Sequence, residues 1–267
     1  LMKKAKQAKS EQQSSSVVND SIPADQFERE QSADELYDLG LNYYFGQNGY
    51  EEDNEKAYEC FFKSSEMGNF FATGILGTMY IHGHYVDTDL SKAKDLLTIA
   101  VEHDVVPAMN DLGDLYREEC NFKEAFEIYS KSADRGNAYG LYQIGLAYYY
   151  GVDDVVKEDE EKALRFLLRS ANSDYDLSYF YIGSVLLHKE QYAEAYKWYK
   201  KSADAGYYAG MCGLGKLYYF GHGMSEDYDE AFKYFSQAAD GDNAEACFLL
   251  GHMFEFGNGV SENHSKA

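Results

Sequence analysis

GMCGLGKLYYFGHG, residues Gly210 to Gly223, can be read in two ways. Its first half satisfies G-x-x-x-x-G-K, with Gly210, Gly215 and Lys216 where a phosphate-binding loop would need them. Such a loop also needs Ser or Thr after the lysine and a strand before it. Here Leu217 follows, and nothing upstream reads as a strand. The alternative is that the glycines belong to a pattern that runs through the whole chain, and that pattern is present.

The template Leu/Ile-Gly-x-x-aromatic recurs in LGLNY, LGTMY, LGDLY, IGLAY, LGKLY and LGHMF, and once as IGSVL, where Leu186 replaces the aromatic residue. Its marker glycines are Gly40, Gly77, Gly113, Gly145, Gly183, Gly215 and Gly251. A second marker follows each: Ala57, Ala93, Ala125, Ala163, Ala195, Ala231 and Ala267. From each alanine to the next glycine the distance is always 20 residues (57 to 77, 93 to 113, and so on to 231 to 251), whereas from glycine to alanine it varies between 12 (113 to 125) and 18 (145 to 163). All length variation therefore sits in one loop per repeat. A constant link between hairpins of variable length is what a stacked solenoid requires, because neighbours must pack with one geometry while loop tips point into solvent.

Each repeat reads as two antiparallel helices. In the fourth, Leu141, Ile144, Ala147 and Tyr148 keep helical spacing, and so do Ala163, Phe166, Leu167 and Ser170. Four residues before the marker alanines stand Asp53, Asp89, Asn121, Asp159, Gln191, Asp227 and Asn263. Six of these seven are Asp or Asn, side chains that accept hydrogen bonds from the first unpaired N–H groups of a helix, so the second helix starts there. A glycine inside a helix costs about 1 kcal/mol relative to alanine. Repeated seven times, it answers a packing need, namely close approach of the partner helix.

The template, the Gly-x-Gly loops in GHGMSEDYDEA and GNGVSENHSKA, the Asp-x-x-Lys-Ala entry to the second helix and the KSADxG exit (Lys131–Gly136, Lys201–Gly206) resemble the Sel-one-like repeat, a relative of the tetratricopeptide repeat. The resemblance covers Ser32 to Ala267. The third and fifth repeats lack the loop glycines, and Asp104, Asp174 and Asp242 replace the exit glycine. It implies an all-α, right-handed superhelical α-solenoid of helix-turn-helix repeats, six full and a seventh cut at Ala267, serving as a non-catalytic adaptor for proteins or peptides. Because a terminal repeat normally carries a polar capping face, the natural protein is expected to continue beyond Ala267. Residues 1–31 carry no repeat and read as a disordered linker, with 5 basic and 5 acidic residues.

The net charge is −22 at pH 7, which makes nucleic acid a poor partner and a basic one the expectation. No run approaches the roughly 18 apolar residues of a membrane span. His82 and His84 could hold half a metal site but have no nearby third ligand, and the acidic runs YEEDNE and DDVVKEDEE lack the spacing of a calcium loop. No catalytic set, metal site or cofactor site is expected. Cys60, Cys120, Cys212 and Cys247 fall at most one to a repeat, which favours free thiols and a cytoplasmic compartment. Sequons at Asn19 and Asn263 point weakly the other way, toward the secretory pathway or cell envelope.

In the tetratricopeptide architecture the first helix of each repeat lines the concave groove. The positions three before, one after, and four and five after the marker glycine are then expected to face it. They present Tyr37, Tyr44 and Phe45 with Leu41; Tyr142, Tyr149 and Tyr150 with Leu146; and Tyr219 and Phe220 with Cys212 and Lys216, while Phe180 and Phe248 add to the row. Such rings bury large area at small rotamer cost, so they predict a groove for a basic, apolar segment of a partner protein. The carboxylate clamp of some tetratricopeptide proteins is not expected, since no repeat has Lys and Asn at those sites. Two further readings are a recruitment module of a longer enzyme or signalling protein and an adaptor of the envelope or secretory pathway.

Overall fold

The computed structural model of the chain describes residues 31–263 and 265. The linker read over residues 1–31, Gln31 excepted, lies outside them, as do Asn19 and Ala267. Among the described residues there are thirteen α-helices and no strand; a single β-bridge joins Val152 and Val156. The helices are α1 Ala33–Phe45, α2 Asn54–Glu66, α3 Phe70–His82, α4 Leu90–Glu102, α5 Val106–Glu118, α6 Phe122–Asp134 and α7 Ala138–Tyr150. They continue with α8 Glu160–Asn172, α9 Ser178–His188, α10 Tyr192–Asp204, α11 Tyr208–Phe220, α12 Tyr228–Ala239 and α13 Ala244–Phe256. They fall into two compact units divided between Glu119 and Cys120. The first unit holds α1–α5, the second α6–α13.

The second helices begin where the sequence places them. Asp53, Asp89, Asp159 and Asp227 are the N-caps of α2, α4, α8 and α12, each accepting from the backbone N–H three residues on. Asn121 and Gln191 occupy the same position before α6 and α10, and Gln191 makes no such bond. Five of the marker glycines are contact points as expected. A Cβ built on Gly40 would lie 2.6 Å from Phe61, on Gly77 2.7 Å from Leu97, on Gly145 2.7 Å from Leu167, on Gly183 2.6 Å from Tyr199, and on Gly215 2.5 Å from Phe235. In every case the side chain met is four residues after the marker alanine, one turn along the second helix, and it is buried. Gly and Ala are thus two halves of one seam.

The constant 20-residue link has a single geometry. Eleven residues after each marker alanine the backbone turns left-handed, at Gly68, Asp104, Gly136, Asp174, Gly206 and Asp242, with φ between 57° and 90°. The next residue's N–H then reaches back to the carbonyl five residues earlier: Asn69 to Ser64, Val105 to Ala100, Asn137 to Ser132, Tyr175 to Ser170, Tyr207 to Ser202 and Asn243 to Ala238. This closing pattern satisfies the helix-end carbonyls and aims the following helix. Three aspartates stand in for glycine because their short polar side chains tolerate this region better than most.

A buried serine adds a fastening to some hairpins. Ser64 Oγ donates to Ala33 O at 2.6 Å and Ser170 Oγ to Ala138 O at 2.7 Å, tying each second helix to the carbonyl seven residues before its own marker glycine. In the fifth repeat the equivalent carbonyl is that of Asp176. It instead accepts Tyr179 N–H in a tighter start to α9, and Ser202 Oγ is left buried without a hydrogen-bond partner. Burying an unpaired hydroxyl is unfavourable. Ser202→Ala is therefore expected to raise stability by up to about 1 kcal/mol, and Ser170→Ala to lower it by about the same. Thermal melts of the two variants against the parent chain check the opposite signs.

Candidate functional site

The first unit carries a cleft of about 270 Å³ walled by its three first helices. From α1 come Tyr37, Leu41, Tyr44 and Phe45, three of them rings expected at the groove. Helix α3 contributes Phe71, Gly74, Ile75 and Thr78, and α5 with its preceding residue contributes Val105, Pro107, Ala108 and Asp111. Gly74 and Ala108 keep the floor clear of side chains, since even a Cβ on Gly74 would stand 3.3 Å from that of Ala108. The rings sit at different depths. Tyr44 is only 7% exposed and donates or accepts through its hydroxyl at 2.7 Å from His84 Nδ1. Phe71, at the mouth, is 53% exposed, and its ring lies 6.2 Å from that of Tyr37. Beneath both Tyr37 and Tyr44 the fully buried Phe61 packs at 6.0 and 6.1 Å.

One carboxylate interrupts this apolar lining. Asp111 is half-buried on α5, and Thr78 Oγ1 donates to its Oδ2 at 2.6 Å. Burial pushes the Asp111 carboxyl above the usual aspartate range, against the hydrogen bond from Thr78, which lowers it; nearby Asp114 pushes the same way as burial. Asp114 itself pairs with Arg117 at 3.1 Å.

In the second unit the expected rings of the fourth repeat form a tyrosine cluster that a residue of the fifth completes. Tyr181 stands 5.8 Å from Tyr142, 5.7 Å from Tyr149 and 6.1 Å from Tyr150, mostly edge to face. Burial pushes Tyr142 and Tyr150 up to about 12, Tyr150 with help from its hydrogen bond to Tyr181. Tyr150 is nevertheless 60% exposed, while Tyr142, Tyr149 and Phe180 pack against the core of this unit. In the sixth repeat Tyr219 accepts from Asn258 Nδ2 at 2.9 Å and meets Phe220 edge to face, and Phe220 is exposed. Phe248, added to the row from the seventh repeat, is exposed as well.

Asp111, Ile75 and Tyr181 escaped the sequence reading. All three lie two residues before a marker glycine, a position not assigned to the groove. Phe71 was also missed, one turn further back. Gly210 to Lys216, by contrast, lies inside α11, with Gly215 against Phe235 and Lys216 Nζ on Glu245 Oε1 at 2.7 Å, so it is a helix seam and no phosphate loop. His82 ends α3, and His84, in the loop that follows, is held by the Tyr44 hydroxyl. Among the described residues no group of three His, Cys, Asp or Glu could hold a metal ion. All four cysteines are free thiols, Cys60 and Cys212 buried.

The Sel1 repeat matches at residues 36–69, 74–105, 106–137, 138–175, 171–207, 209–243 and 244–267. The chain belongs to the Sel1 repeat family. This Sel1 repeat chain is 31% identical over 103 residues to the ERAD-associated E3 ubiquitin-protein ligase component HRD3B of Arabidopsis thaliana, which covers 39% of the chain and 17% of that protein. It is 31% identical over 122 residues to the putative sel1-like repeat-containing protein L21 of Acanthamoeba polyphaga mimivirus, covering 43% of the chain and 22% of that protein. The chain thus spans less than a quarter of the length of these two curated relatives. Among solved structures, c5321, a protective antigen of uropathogenic Escherichia coli with this fold, superimposes with a TM-score of 0.79 at 24% identity over 88% of the chain and 51% of that protein. A Sel1 repeat protein of Oxalobacter formigenes gives 0.63 at 23% identity over 88% and 69%. At such identities the likeness is one of fold, an all-α solenoid. Sel1 repeat proteins generally mediate protein–protein interaction, and the fold is typically a non-catalytic scaffold. No described helix is long and apolar enough to cross a membrane.

Proposed function

We propose that this chain is a non-catalytic adaptor whose first unit holds a basic, apolar segment of a partner protein in the cleft between α1, α3 and α5. The observation that carries this reading is the cleft itself: an exposed ring, Phe71, over an apolar floor that small residues keep open. The rings anchor the segment, and the charge of −22 draws basic segments in and speeds their association. Tyr150, Phe220 and Phe248 offer further exposed rings on the second unit. A role as the recruitment part of a larger assembly is compatible with this and is favoured by the relative that is a component of a ubiquitin ligase and far longer than this chain.

The test is a display of random basic and apolar peptides selected on the full chain, followed by binding to Phe71→Ala. Selected peptides are expected to lose about tenfold in affinity, as for an interface ring, with the melting temperature nearly unchanged because Phe71 is more than half exposed. Peptides that bind equally well to the variant would sink the reading.

A further inference from the structure

The cleft is not uniformly apolar, and its one charge has a specific arrangement. Among the residues that line it there is a single carboxylate, Asp111, and no Lys or Arg. Thr78 has one hydroxyl proton, and its shorter contact is to Asp111 Oδ2 at 2.6 Å, against 3.2 Å to Gly74 O. The other oxygen, Oδ1, receives no hydrogen bond from any described residue. A half-buried carboxylate with one oxygen taken and one open is a group whose charge has lost water without gaining a hydrogen-bonded cation among the described residues. Burial, the largest influence, and the neighbouring Asp114 act against its ionised form, while the Thr78 hydrogen bond and His82 act for it. A cation entering the cleft would relieve that penalty, and the rings of Tyr44, Phe45 and Phe71 stand in the same lining.

The open acceptor also selects among cations. An arginine fork binds a carboxylate best through two parallel N–H···O bonds, which requires both oxygens. A lysine ammonium is a compact charge that a single oxygen can receive, and its four-carbon stem suits apolar walls. We propose that the cleft of the first unit is a lysine pocket: the ammonium of a partner's lysine donates to Asp111 Oδ1 while its stem lies against Ile75 and Phe71, and Thr78 sets the preference for lysine over arginine. This rests on the adaptor reading and adds the identity of the side chain that the cleft takes.

The probe is the peptide acetyl-Leu-Lys-Phe-amide, titrated into the full chain while the methyl resonances of Ile75 and Thr78 are followed by NMR. Analogues carry norleucine or arginine in place of lysine. Saturable shifts at both methyls are expected with the lysine peptide, with affinity at least tenfold lower for norleucine and several-fold lower for arginine. Asp111→Asn keeps an acceptor for Thr78 and is expected to bind the lysine and norleucine peptides alike without a fall in melting temperature. Thr78→Val frees Oδ2 and is expected to bring arginine level with lysine or ahead of it. Equal binding of lysine and norleucine to the parent chain, or unchanged lysine binding in Asp111→Asn, would overturn the pocket while leaving the Phe71 test of the adaptor reading standing. It would equally be overturned if the same methyl resonances shift on dilution, making a second copy the occupant. Shifts when Lys3, Lys4, Lys6 and Lys9 are replaced by Gln would do the same, making the chain's own basic segment the occupant.

Discussion

Gly215→Val lowers the stability of the second unit by about 3 kcal/mol, the sum of overpacking and a poorer helix former. The first added carbon already stands 2.5 Å from the Phe235 ring. That ring is fully buried among Ala231, Ala238, Leu249 and Met253 and has no room to retreat. Alanine at the same place would gain about 1 kcal/mol of helix propensity and still lose on balance, which separates packing from propensity. Shrinking the opposing ring relieves the clash. In a double-mutant cycle, Phe235→Leu is expected to cost less in the Gly215→Val background than in the parent. Urea unfolding followed by helix signal measures all four corners, and strict additivity would mean that the glycine does not mark the seam.

Phe61→Ala is the second large effect, and it joins fold to function. Removing a fully buried phenylalanine typically costs about 3–5 kcal/mol, because a cavity replaces the ring. Here the cavity opens beneath Tyr37 and Tyr44, both about 6 Å away and both walls of the cleft. The expected outcome is a joint loss, a lower melting temperature together with weaker capture of the cleft peptides. Phe71→Ala is expected to cost binding alone. If Phe61→Ala destabilises yet leaves peptide affinity intact at a temperature where the chain is still helical, then the cleft does not depend on the ring beneath it.

Most of the fold was legible because it is written in small residues at fixed intervals. Gly40 with Phe61, or Gly145 with Leu167, can be paired from spacing alone once the marker alanines are aligned, and an Asp four residues before the alanine marks a helix start on chemical grounds. The exits with Asp104, Asp174 and Asp242 looked like departures and are the same left-handed turn in different residues. The candidate site was less legible. Tyr44 and Phe45 are adjacent and chemically alike, yet Tyr44 is buried against His84 while Phe45 is only partly covered. Which face of a first helix meets the cleft depends on the angle at which neighbouring hairpins cross, and residue spacing carries no record of that angle. The same reason hid Asp111, whose importance comes from Thr78, 33 residues away and in another repeat. Ser202 reads like Ser170 in sequence, and only the tighter turn at Asp176 separates an orphaned hydroxyl from a bonded one.

The division between a rigid link and a free loop also makes the chain tolerant of insertion. Every exit turn is closed by the same backbone bond, so a residue added there would rotate the next hairpin out of register. The loop between the two helices carries no such duty. Lengthening it from the third repeat's three residues, 119–121, to the fourth's nine, 151–159, adds only about 1 kcal/mol of closure entropy, since that term grows with the logarithm of length. The fourth repeat even satisfies part of its longer loop internally, with Val152 and Val156 exchanging backbone bonds at 2.7 and 2.9 Å around the exposed Asp153 and Asp154. A tag, a fluorophore or a whole folded domain grafted between those two aspartates would ride on the solenoid without disturbing its stacking.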